Sequence, residues 1–142
     1  MITTTTTPTT FTAEHVASTR RPVWRSGVAS GLVAAVTTVA VVAVARAADV
    51  AVAIQGEQIP LLGFAQLTFV GALLGVGIAK LVRRRSATPR RTFARLTVAL
   101  TALSIVPDVI ADASLGTKLV LAFTHVVAAA IIVPAIASRL TD

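Results

Sequence analysis

The chain has 142 residues, 55% hydrophobic and only 13% charged, with a net charge of +7 and a mean hydropathy of +0.84. The charged share is about half that of a soluble domain, and the polar residues bunch between apolar runs of about 18–22 residues, the length that crosses a hydrocarbon core. This excludes a water-soluble globule, and the lack of Cys excludes disulfides, thiolate catalysis and zinc–sulfur centres.

Residues 1–18 form a Thr-rich, low-complexity tail with nothing to bury, and the composition predicts disorder. Arg20, Arg21, Trp24 and Arg25 then mark a membrane boundary, where an indole ring meets both apolar surface and water. The first span is predicted over residues 27–47, with Arg46 and Asp49 three residues apart and able to pair on a helix face. A cleaved signal peptide is the competing reading, with Ala45-Arg46-Ala47 as the small-residue site. The apolar run is too long for it and more spans follow, so the chain is expected uncleaved there.

Gln55, Gly56, Glu57, Gln58 and Pro60 form a short polar connection to the second span, residues 60–81. That span carries Gln66 and a GxxxG spacing at Gly71 and Gly75. The segment Lys80–Arg95 holds seven of the 13 basic residues and no acid. It is predicted as a loop over 82–95. The third span follows over 94–113, a tight turn at Gly116 and Thr117, and the fourth span over 118–138. The fold class is therefore an all-α membrane protein of four transmembrane helices in two hairpins.

The basic residues set an orientation. With both termini and the central loop in the cytoplasm, 11 of the 13 lie inside, leaving Arg46 and Lys118 outside. These residues sit at span ends and few aromatics accompany them, so they are expected to face anionic lipid and not nucleic acid.

An offset of 59 residues lays one hairpin over the other. Asp49 falls on Asp108, Val50 on Val109, Phe64 on Phe123 and Gln66 on His125. This is either a parallel internal repeat or the likeness of two apolar hairpins of similar composition.

The third span holds the sharpest pattern. Thr97, Thr101, Ser104, Asp108 and Asp112 fall within about 80° of one another at 100° per residue, a polar stripe that should avoid lipid. Asp108 is expected roughly 9–12 Å inside the outer boundary, with His125 of the fourth span and Gln66 of the second at similar depth. These residues form the candidate intramembrane cluster, with Asp112 at its outer edge, close enough to Lys118 to pair. Two chemistries compete for it: fastening of helices by hydrogen bonds, and a site for protons or a small polar solute. A serine-hydrolase reading of Ser104, Asp108 and His125 has the residue types but no nucleophile motif. One His in the spans makes no metal site, and no cofactor-binding or phosphate-binding motif is present.

Leu103-Ser104-Ile105-Val106-Pro107, Thr117-Lys118-Leu119 and the run from Thr124-His125 to Pro134-Ala135 resemble small four-span membrane proteins of actinobacteria, an uncharacterised family. The resemblance implies four helices, a His in the last one and a bacterial inner membrane, and it implies no activity. The expected function is that of a non-enzymatic integral membrane protein acting by helix packing or partner binding in the bilayer, as a homo-oligomer or with another membrane protein. A small carrier or channel-like protein is the alternative.

Overall fold

The computed structural model describes residues 22–142. The predicted disordered tail and the basic pair Arg20 and Arg21 lie outside the described residues. Four helices run along the chain: α1 (Val23–Ala47), α2 (Leu61–Arg85), α3 (Pro89–Ile110) and α4 (Leu115–Ala137). Each is long and apolar enough to cross a membrane. The chain is thus an all-α, four-helix membrane protein, and its large exposed side chains, such as Leu32, Val36, Leu67 and Ile110, are those that a lipid solvent accepts.

α1 ends in a Schellman motif. Asp49 adopts the left-handed conformation (φ 59°), the Asp49 amide donates to the Arg46 carbonyl and the Val50 amide to the Ala45 carbonyl. Asp tolerates this conformation better than most residues, which is why the helix stops here although the apolar sequence resumes. Before this stop, α1 runs unbroken through Ala45, Arg46 and Ala47. The Arg46–Asp49 pair expected from spacing does not form: the motif turns Asp49 off the helix face, and the Arg46 guanidinium donates to the Ile59 carbonyl.

The polar connection is a small antiparallel hairpin, β1 (Ala53–Ile54) and β2 (Glu57–Gln58). Gln55 and Gly56 at its tip both have positive φ, 52° and 81°, the signature of a type I′ turn. The Gln55 amide donates to the Asp112 carbonyl (2.9 Å), and the Thr117 hydroxyl to the Ala51 carbonyl (2.6 Å). These bonds strap the connector to the second hairpin of helices.

The basic loop is much shorter than 82–95. α2 continues through Arg83, Arg84 and Arg85, and only Ser86, Ala87 and Thr88 separate it from α3. Arg is a good helix former, and three of them in the last turn face the negative end of the helix dipole. Pro89 opens α3, where its missing N–H costs nothing. α4 likewise starts earlier than Lys118, because the Ser114 hydroxyl caps it by accepting from the Thr117 amide at 3.2 Å.

α1 packs along α2 and α4, while α3 rests on α4 and more loosely on α2. The closest seam is α1 against α2. A Cβ at Gly27 would fall on Val76, and one at Gly31 would lie 2.7 Å from the Ala72 methyl. This pair, spaced as GxxxG, lets the two backbones approach, whereas the Gly71–Gly75 pair does not act together. Gly75 faces Ile132 and Ile136 of α4, and Gly71 faces open space. Thr38 of α1 and Thr68 of α2 bond across the same seam at 3.2 Å.

The start of α1, the α2–α3 turn and the end of the chain share one end of the bundle. Arg139 Nε donates to the Ser26 hydroxyl there (2.9 Å), and the Asp142 carboxylate accepts from the Arg90 and Arg91 amides at 2.9 and 3.3 Å. The 59-residue offset does not carry over into equivalent positions. Asp49 follows the end of α1 while Asp108 lies inside α3, and α1 is packed on two sides where α3 is held mainly from one.

Candidate functional site

The polar stripe of α3 faces inward, toward α4 and α2. Its hydroxyls close on their own helix: Thr97 donates to the Phe93 carbonyl (2.8 Å), Thr101 to Thr97 (2.8 Å) and Ser104 to Thr101 (2.7 Å). On α4, Thr124 does the same to Leu121 at 2.7 Å. Thr97, Thr101, Ser104 and Thr124 thus show their neighbours carbon and a spent hydroxyl, which makes the inner face less polar than its sequence. Ser104 in particular has its proton engaged by a carbonyl, not by His125.

Asp108 and His125 do meet. His125 Nδ1 lies 3.1 Å from Asp108 Oδ2 and 3.0 Å from the Leu121 carbonyl. Both neighbours are acceptors, so this geometry places a proton on Nδ1. The N–H is aimed at the Leu121 carbonyl, and Asp108 Oδ2 is buried with no aligned donor. Ten residues separate His125 from the start of α4, about 15 Å of helix, which sets the pair near the middle of a span of 23 residues.

Residues 111–114, with bends at 111–113, carry the chain from the end of α3 to the start of α4, and the contact with His125 sets Asp108 deeper than its place near the end of α3 indicates. α3 ends at Ile110, just after Pro107. The stripe therefore stops at Asp108, and Asp112 lies beyond the helix, exposed, lining a shallow depression with Gln55, Ser114 and Thr117. Among the described residues its carboxylate makes no ion pair with Lys118.

Gln66 does not join the cluster. It is exposed on the outward face of α2, and Thr68, two residues on, turns inward instead. Two residues is about 200° of rotation, and the inward face of α2 is set by Phe64, Thr68 and Gly75.

Around the pair lies a cavity of about 610 Å³ between α2, α3 and α4. Asp108, His125, Ser104, Thr101, Thr97, Thr124 and Thr68 contribute to its wall, and the rest is apolar, including Phe64, Leu67, Leu74, Ile78, Phe93, Leu100 and Ile132. Leu67, Gly71, Leu74 and Leu100 are also exposed on the bundle surface, so the cavity opens sideways between α2 and α3. Its volume falls in the range of small-molecule sites. Sequence reasoning missed this cavity. The signal was the glycine at 71, which supplies no side chain to close the seam.

No curated protein and no solved structure matches the chain. A family model does, over residues 18–142, and its description is a family of unknown function. The chain belongs to that family, DUF6069.

Proposed function

We propose that this protein is a non-catalytic integral membrane protein that binds, in the cleft between α2, α3 and α4, a lipophilic molecule bearing one hydrogen-bond donor. The observation that carries this reading is Asp108 Oδ2, a buried acceptor without an aligned donor on the wall of a mainly apolar cavity. A carboxylate in hydrocarbon is costly unless something answers it, and His125 answers it only in part. The apolar walls and the sideways opening suit entry from the bilayer and not from water. Helix fastening, the expectation from sequence, accounts for the Asp108–His125 contact but leaves the cavity without a role.

The test uses a photoactivatable long-chain alcohol on the purified protein. Labelling is expected on α2, α3 and α4 residues that face the cleft. Gly71→Leu should abolish that labelling while helical content stays unchanged, because a side chain at position 71 meets open space. Labelling spread evenly over lipid-facing residues, or unchanged by Gly71→Leu, would refute the reading.

The mid-span position of the pair supports a second reading, a carrier of protons or a small polar solute. It requires that proteoliposomes dissipate a pH gradient and that Asp108→Asn stop them.

A further inference from the structure

The end of the bundle opposite the hairpin connector carries a second feature, sharing no residue with the cleft. Arg83, Arg84 and Arg85 end α2, and Arg90, Arg91 and Arg95 begin α3, all of them exposed. Among the described residues one acid lies at this end, Asp142, and its carboxylate already holds the Arg90 and Arg91 amides and approaches Arg91 Nε at 3.5 Å. Asp49, Glu57 and Asp112 lie at the other end. The patch therefore keeps nearly its full positive charge.

Within it, the α2–α3 turn forms an open hollow of about 620 Å³ lined by Leu81, Val82, Arg85, Ser86, Thr88 and Thr92 together with Ala87. The Ser86 and Thr92 hydroxyls lie 2.9 Å apart, and Ser86 also accepts from the Thr88 amide. A guanidinium with neighbouring hydroxyls is phosphate-binding chemistry, since its planar fork engages two oxygens at once. Just below, on the membrane side, Leu81 is 55% exposed. Trp24, exposed at the same end, marks the level where headgroups begin. The ligand is thus met by charge above and by apolar surface beneath.

We infer that the α2–α3 turn docks the headgroup of an anionic phospholipid, with Arg85 on the phosphodiester, the Ser86, Thr88 and Thr92 group beside it, and Leu81 against the first methylenes of an acyl chain. A soluble anion would not use Leu81, and a nucleic acid would find no aromatic side chain in the hollow. The site is independent of the cleft and of the function proposed for it.

The full chain in a mild non-ionic detergent tests this. Dioleoylphosphatidylglycerol or dioleoylphosphatidylcholine is added at equal concentration, retained lipid is counted by native mass spectrometry, and thermal stability is read alongside. Parallel samples receive inorganic phosphate or a short single-stranded oligonucleotide. Phosphatidylglycerol should be retained and raise the melting temperature, and phosphatidylcholine and inorganic phosphate should do neither. Arg85→Gln should weaken phosphatidylglycerol retention about fivefold, and Arg85→Lys should fall between, because it keeps the charge but loses the fork. Lys118→Gln, at the other end, should change nothing. Equal retention of both lipids, indifference to Arg85→Gln, or displacement of the lipid by the oligonucleotide would each overturn the inference.

Discussion

Gly27 is the position where the smallest change should do the most damage. A Cβ there falls on Val76 of α2, with Ile136 Cδ1 of α4 at 3.7 Å, so three helices converge on a space sized for hydrogen. Val76 is buried and β-branched, and in a helix its χ1 is nearly fixed, so it cannot rotate away cheaply. Gly27→Ala must therefore shift a backbone. Overpacking of this kind costs about 1–3 kcal/mol. The better helix propensity of Ala returns up to about 1 kcal/mol, leaving a net loss of up to about 2 kcal/mol. Equilibrium unfolding in mixed micelles, followed by circular dichroism, measures it. Val76→Ala removes the obstructing methyl, so the double variant should be more stable than the sum of the singles by about 1 kcal/mol or more. Gly71→Ala, where nothing lies within 4 Å, is the control and should be neutral or slightly stabilising. A neutral Gly27→Ala that adds simply to Val76→Ala would refute the close-seam argument.

A cycle on Asp108→Asn and His125→Leu should show coupling of about 1 kcal/mol, with the His125 single variant worse than the double because it leaves a lone buried carboxylate; strict additivity would separate the two residues. Asp142→Ala should raise amide exchange at Arg90 and Arg91 and cost up to about 1 kcal/mol, reduced by exposure; unchanged exchange would remove the cap from the account of α3. Reporters at Asp142 and within Arg83–Arg91 should both read cytoplasmic, and an external signal from either reverses the positive-inside argument. Intact mass should show no cleavage after Ala47, and a fragment beginning at Ala48 would make α1 a leader.

Hydropathy and length were enough to place four helices, because lipid imposes a single strong requirement on each span. The meeting of Asp108 and His125 was also legible, from equal depth on neighbouring antiparallel helices. What was not legible depended on rotation about the helix axis and on backbone detail. Gln66 points away from the cleft, on the outward face of its helix. Asp112 continues the 3.6-residue spacing, yet the helix ends before it. The extent of α2 was hidden because seven basic residues read as a loop, although Arg is at ease in a helix. The close seam at Gly27 and Gly31 lay in a segment so rich in Ala, Val and Gly that its spacing carried little signal, whereas the more visible Gly71–Gly75 pair serves two different surfaces.

The unequal support of α3 has a dynamic consequence. It is the helix with the smallest buried share, held along α4, by the cap at its start and by the connector strap near its end. Its backbone hydrogen bonds are internal, so moving it as a rigid rod away from α2 breaks none of them and forfeits only side-chain contact along one edge. The three residues before it and the four after it, Ser86–Thr88 and Ala111–Ser114, are where such a motion would pivot. Local opening free energies should therefore be graded around the bundle, highest for the α1–α2 pair and lowest for the α2–α3 edge, and the mouth of the cleft would widen by the swing of one helix while the other three stay in register.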